Sequence, residues 1–366
     1  MNLSVKDIKY DCRYFRGDIP CKPSKEHGVH CVDDNGNDCQ YYDQVNKRIL
    51  IIKLGALGDV IRTTPLLHKL KEVEPRAEIW WLTLESSVVP KSVDCILSFT
   101  PQSLATLYTT TFDTIYCLDK DREACALTAQ LTARVKKGFT LQDGKCVPID
   151  AAAEHKYLTG VFDDISKKNT KSYQQEIFEI CGFEFRGEKY IMPALREYTW
   201  KLPRKKPIVG LNTGCGGRWT SRLWPQSYWV VFANRLKKAG YTPLLLGGEQ
   251  EHAKNLQIAK SSGALYLGHF PMNQFMSEVN QCDLVVTAVT MTMHITIGYG
   301  KKIVLFNNIF NKYEFELYGN GEVLEPDYAC DCFYSPTCPN NCMQYLSVDS
   351  VYVACTRLLK LPSRKK

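Results

Sequence analysis

Long apolar runs are missing from this 366-residue sequence. None approaches the roughly 20 residues that a membrane-spanning helix needs, so no transmembrane segment is expected. The opening stretch, MNLSVKDIKYDCRYFRGD, has no apolar h-region and no small-residue cleavage site. It does not read as a secretory signal, and the expected location is the cytoplasm. The familiar nucleotide motifs GxxxxGK[ST] and GxGxxG are absent, as is any short-period repeat. Net charge is +7, but the basic residues do not gather on one helix with interleaved aromatics, so nucleic acid is not an expected partner. The basic end, RLLKLPSRKK, suits weak peripheral contact with an anionic inner-membrane face, or else is a solvated charge run.

Composition is otherwise that of a globular protein, 45% hydrophobic and 23% charged, with enough length for two cored domains. Residues 1–46 are polar and lack sustained periodicity. From Arg48 short apolar runs alternate with amphipathic segments: strands are expected at 48–54, 77–83 and 114–118, and helices at 60–73, 123–134 and 171–181. A charged, proline-bearing stretch at 192–207 reads as a linker. The rhythm then resumes with strands near 207–214, 241–248, 264–267, 282–288 and 301–307. The helices between them are expected at 226–239, 250–260, 272–280 and 291–298. Alternation of this kind argues for parallel strands joined by helices. The expected domains are a cysteine-rich extension (1–46) and two Rossmann-like units (47–195 and 206–366). Ligands in such sheets bind beyond the carboxyl ends of the strands, so the loops there should hold the chemistry.

Four strand-end loops carry suitable residues. In RILIIKLGALGDVIRTTPLL a strand runs through a glycine turn into a helix that begins near Asp59. A carboxylate there suits the positive end of the helix dipole, and it is also placed to take a proton from a ligand above the sheet. In LNTGCGGRWTSRLWP, Thr213, Gly214, Gly216 and Gly217 offer backbone amides to an anion, with Arg218 and Arg222 adding charge. In LLLGGEQEHAKNL, Gly248 closes a strand and Glu251 can accept hydroxyl hydrogen bonds, as from a ribose, or serve as a helix-start acid. In VVTAVTMTMHITIGYG, Thr290, Thr292, Met293 and His294 lead into a helix whose free amides suit a phosphate.

The order of these loops resembles the family 9 glycosyltransferases, bacterial ADP-heptose transferases that build the lipopolysaccharide core. The matching stretches are LGALGDVIRTTPLL, TGCGGRWTSRLWP, LLGGEQE and VTAVTMTMHITIGYGKKIVLF, followed by the cysteine-bearing CDCFYSPTCPNNCMQYLSVDSV. The resemblance implies a GT-B fold and inverting transfer without a catalytic metal. The donor, a nucleotide-diphospho-sugar such as ADP-heptose, would sit mainly on the C-terminal unit. The acceptor would be a lipid-linked or other glycan, or a protein hydroxyl. Asp59 matches the family's general base. Arg222 stands where lysine is common and would stabilise the leaving diphosphate. Gly58, Arg62 and Asp119 are expected on the acceptor side. The family's acidic donor-loop residue is Val289 here, while His294 is kept.

Sixteen cysteines remain to be explained. Eight are scattered and expected as reduced thiols in or near the core. Cys12, Cys21, Cys31 and Cys39 lie in the polar extension, where a structural zinc or iron would supply folding energy that a core cannot. Cys330, Cys332, Cys338 and Cys342 lie close together in a proline-stiffened loop, a second candidate metal set. Some autotransporter heptosyltransferases in the resembling group hold iron through cysteines, but with different spacing, so that iron is not carried over to this sequence.

Overall fold

A computed structural model describes residues 4–195, 198–203 and 206–360. The basic tail at 361–366, which carries the expected membrane contact, lies outside the described residues, as do 196–197 and 204–205 of the expected linker. Two compact units emerge. The first comprises residues up to Leu54, Leu67–Ser86 and Lys91–Asp150; the second comprises Gly55–Leu66, Ser87–Pro90 and the chain from Ala151 onward. Among the described residues no helix is long and apolar enough to cross a membrane.

The first sheet is built from β1 (Lys47–Ile52), β2 (Ala77–Thr83), β3 (Cys95–Ser98), β4 (Phe112–Cys117), β5 (Ala133–Gln142) and β6 (Lys145–Pro148). Its order is β3-β2-β1-β4-β5-β6, parallel except for the β5–β6 hairpin. The second sheet is built from β7 (Ile208–Asn212), β8 (Thr242–Leu246), β9 (Leu265–Tyr266), β10 (Leu284–Ala288), β11 (Lys302–Phe306) and β12 (Gly321–Leu324). Its order, β12-β11-β10-β7-β8-β9, repeats the same winding with every pair parallel. Both are Rossmann-type orders, in which the chain reverses direction beside the first strand and opens a crevice at the carboxyl ends. The fold is α/β of the GT-B class.

Strands β7, β8 and β10 are buried at every position, as parallel strands covered on both faces must be. One face of the second sheet packs on α9 (Gln226–Lys238) and α13 (Val348–Lys360). Trp229, Phe232 and Leu236 from α9 and Val351, Ala354 and Leu358 from α13 fill this core. Of the scattered thiols, Cys117, Cys125, Cys181, Cys215, Cys282 and Cys355 are buried, and Cys95 and Cys146 half-buried.

Several expected boundaries shift. The helix expected at 60–73 is two, α2 (Leu57–Thr63) and α3 (Leu66–Val73). Pro65 lies between them, where it lacks the N–H that a continuous helix would use. The helix expected to reach 134 is α5 (Arg122–Gln130), and the chain turns extended at Leu131 to enter β5. The edge strands β3 and β12 and both strands of the β5–β6 hairpin were not expected. Within residues 4–46 only Pro23 is buried. This extension is held to the rest of the first unit through Arg13, which bonds Asp43 at 2.8 Å, Asp94 at 2.8 Å and the Ala77 carbonyl at 3.0 Å.

Candidate active site

Within the second unit, the loops after β7 and β10 are tied together by two side chains. Asn212, the last residue of β7, has its amide nitrogen within reach of the Gly214 carbonyl (3.2 Å), Thr287 Oγ1 (2.9 Å) and Thr290 Oγ1 (3.3 Å). Arg222 donates to the Val289 carbonyl and, at 2.9 Å, to the Cys215 carbonyl. Its guanidinium is buried, its Nε lacks a partner, and burial lowers its pKa from the usual arginine value. At Gly214 a Cβ would stand 2.1 Å from the Glu251 carboxylate, so a larger residue there would push the Glu251 side chain aside. Glu251 in turn accepts the Gly248 N–H at 3.0 Å.

Asp59 opens α2. Its carboxylate accepts the Ala56 N–H at 3.2 Å and pairs with Arg62 at 2.8 Å, leaving the side chain about 31% exposed. Arg62 lies 3.5 Å over the Tyr173 ring and 3.9 Å from Glu314. Burial pulls the pKa of Arg62 down, but Asp59, Tyr173 and Glu314 outweigh it, so the guanidinium stays charged.

Gly58 of this turn serves a contact that the sequence did not disclose. Helix α12 (Met291–Gly298) presents His294 directly to Gly58, where a Cβ would stand 2.4 Å from the imidazole Cδ2. Burial, then the nearby Arg62 charge, push the His294 pKa down to about 3 against the pull of Asp59, so the ring is neutral. Its Nδ1 is 3.4 Å from the Tyr190 hydroxyl.

A cavity of about 800 Å³ unites these parts. Of the expected residues, Gly58, Asp59, Arg62, Gly214, Gly216, Arg222, Gly248, Glu251, Thr290, Thr292 and His294 line it. Thr213 instead turns inward to Asn255 at 2.6 Å, Arg218 is exposed beside Trp219, and Gly217 and Met293 are not in the lining. Asp119 lies in the first unit, buried against Lys53 and the Leu54 N–H. The lining also includes aromatic and acidic residues that the motifs did not flag, among them Trp219, Phe275, Phe310, Glu314 and Tyr334.

The sequence matches the profile of Glycosyltransferase family 9 (heptosyltransferase) over residues 106–309, more than half of the chain. The chain belongs to this family. No curated protein matches it in sequence. Among solved structures, the family 9 glycosyl transferase from Veillonella parvula is similar at 17% identity and TM-score 0.66, covering 87% of this chain and 98% of that one. The E. coli ADP-heptose LPS heptosyltransferase II is similar at 15% identity and TM-score 0.61, covering 85% and 98%. The iron-containing dodecameric glycosyltransferase TibC from enterotoxigenic E. coli is similar at 12% identity and TM-score 0.54, covering 86% and 77%. Likeness at such identities speaks for the fold.

This family 9 transferase also carries a cysteine centre. Cys330, Cys332, Cys338 and Cys342 place their sulfurs within 4.8 Å of one another, with 3.4 Å between Cys330 and Cys338 and 3.6 Å between Cys332 and Cys342. Thiolates about 2.3 Å from a tetrahedral ion sit roughly 3.8 Å apart, so the set fits one metal ion. It is the only such group among the described residues. The expectation for the N-terminal set is corrected accordingly. Cys12, Cys21, Cys31 and Cys39 line one small cavity, but they do not form a group close enough to share an ion. Their segment is pinned by Arg13 and by backbone bonds such as Cys39 N–H to the Cys31 carbonyl at 2.9 Å.

Proposed function

We propose that this transferase moves a heptose from ADP-heptose to a hydroxyl of a glycan such as the lipopolysaccharide core, with inversion and with Asp59 as general base. One observation carries the reading: the Asp59 carboxylate lines the same cavity as Gly214, Arg222 and the start of α12. Likeness to an ADP-heptose LPS heptosyltransferase supports the choice of donor.

In this mechanism the diphosphate rests on the glycine-loop amides and the amino end of α12, where unpaired N–H groups favour anions. The acceptor oxygen attacks the anomeric carbon and gives its proton to Asp59. The bond from that carbon to the diphosphate oxygen breaks on the opposite face, and ADP leaves with the electron pair. Arg222 stabilises the charge that develops there, and no metal takes part in the transfer. Arg62 pairs with Asp59 and aims its carboxylate, and neutral His294 braces α2 through Gly58. The protein works in the cytoplasm, with its tail resting weakly on the inner membrane. The cysteine centre holds a structural zinc or iron.

The cysteine centre also favours a second reading of the acceptor. The resemblance links cysteine-held iron to autotransporter heptosyltransferases, whose acceptor is a protein hydroxyl. A thermal-shift panel of ADP-, GDP- and UDP-linked sugars tests the donor assignment. At a hundredfold excess over Kd the preferred donor should add about 2.7 kcal/mol of stability. Stabilisation by ADP-linked sugars alone supports the reading, and stabilisation by UDP- or GDP-linked sugars instead would overturn it.

A further inference from the structure

The cysteine centre and the cavity share one wall. The Ser221 N–H donates to the Pro336 carbonyl at 3.0 Å and its hydroxyl to the Ser335 carbonyl at 2.8 Å, so the cysteine loop grips the turn that ends in Arg222. Asn308 joins them again, donating from one amide nitrogen to the Ser221 carbonyl at 2.8 Å and to Cys342 Sγ at 3.3 Å. Tyr334, between Cys332 and Cys338, lines the cavity; its ring is 5.1 Å from Phe310 and its hydroxyl is 3.4 Å from Glu314. Glu314 faces Arg62, and Arg62 pairs with Asp59. Thus one short loop, closed on itself by four sulfurs, reaches both the diphosphate-side arginine and the network around the base.

Apart from these bonds the loop has little of its own to order it. Residues 325–341 contain no helix or strand, and the buried cluster behind them consists of Ile309, Cys332, Cys338 and Cys342. With Trp219 and Phe310 only partly buried against it, a cluster that small leaves much of the loop's conformation to whatever binds the sulfurs.

We propose that an ion held by Cys330, Cys332, Cys338 and Cys342 sets the shape of the nucleotide cavity, so that metal occupancy governs donor affinity through Tyr334 and the Ser221–Arg222 turn. The inference rests on the reading of the cavity as a nucleotide-diphosphate site. Tyr334 and Ser221 are positioning residues in this account.

The experiment is ADP titration calorimetry on the full chain, with bound metal counted by atomic emission. The protein is tested as purified, after stripping with a chelator under reducing conditions, and after reloading with one equivalent of zinc or ferrous ion. The expected result is at least tenfold weaker ADP binding after stripping, restored by the ion. Ser221→Ala touches no sulfur, so it should keep one ion per chain and still bind ADP several-fold more weakly. That variant decides the matter if the stripped protein unfolds. Equal ADP affinity in stripped and reloaded protein, or wild-type affinity in Ser221→Ala, would overturn the coupling alone. Failure of the metal-loaded wild type to bind ADP would overturn the nucleotide reading itself.

Discussion

Gly58→Ala is the smallest change that probes how α2 is held. A methyl group here would stand 2.4 Å from His294 Cδ2 and 3.1 Å from Nε2. Carbon atoms settle about 3.5–4.0 Å apart, so ring and helix must separate by roughly 1 Å. His294 is only 6% exposed and is stacked near Tyr190, so the ring has little room to retreat. The helix gains up to about 1 kcal/mol from replacing glycine by alanine. Overpacking costs about 1–3 kcal/mol, leaving a net loss on the order of 1–2 kcal/mol. For a unit of this size that is a Tm decrease of roughly 3–6 °C.

The functional effect should be larger, because Asp59 is the next residue and moves with the helix. A displacement near 1 Å can lower the rate about a hundredfold. The assay is kcat and KM for sugar transfer, with ADP affinity measured in parallel. Adding His294→Ala removes the obstructing ring, so the double variant should regain part of the lost Tm and show a coupling energy of about 1 kcal/mol. Wild-type kcat and Tm in Gly58→Ala, or strictly additive effects in the double variant, would refute the reasoning.

Arg222→Ala removes two bonds, one to Val289 that joins the loop after β7 to the loop after β10 and one to Cys215 within the loop after β7. Hydrogen bonds to a charged group contribute about 1.5–3 kcal/mol each, so ADP affinity and kcat should both fall at least tenfold in calorimetry and turnover assays; unchanged values would remove Arg222 from the site. The Glu278 carboxyl is buried without a hydrogen-bond partner, and burial lifts its pKa from 4.5 to about 8. The folded state therefore keeps a proton that the unfolded chain releases, and stability falls as pH rises from about 4.5 to about 8. Glu278→Gln should remove about 2–3 kcal/mol of the loss between pH 6 and 9, seen as a flatter Tm profile, whereas parallel profiles would contradict the burial argument.

Much of the second sheet was legible because each strand is a short apolar run with glycine or a helix start behind it. The strands β7, β8, β10 and β11 and the helices α9 and α12 lie where periodicity put them, within a residue or two at most ends. The first unit was harder to read. Its edge strand β3 and the hairpin β5–β6 are only partly buried, so their sequences carry weak alternation. The loops after β7 and β10 announced themselves by glycine and threonine. Glu314 and Tyr334 did not, since an acid and an aromatic in an irregular loop match no motif, and only the fold brings them beside Arg62. The stretch CDCFYSPTC was singled out for its thiols, yet the tyrosine among them is what faces the cavity. Asp119 shows the converse: a strand-end acid that looks available is buried against Lys53.

The carboxylate at position 59 carries the proposed chemistry, and replacing it with an amide of the same shape tests its role most directly. In Asp59→Asn, transfer from ADP-heptose should fall at least a thousandfold while ADP binds within about twofold of wild type, since a general base and its positioning supply roughly that much rate. Turnover near the wild-type rate in that variant would contradict the central claim.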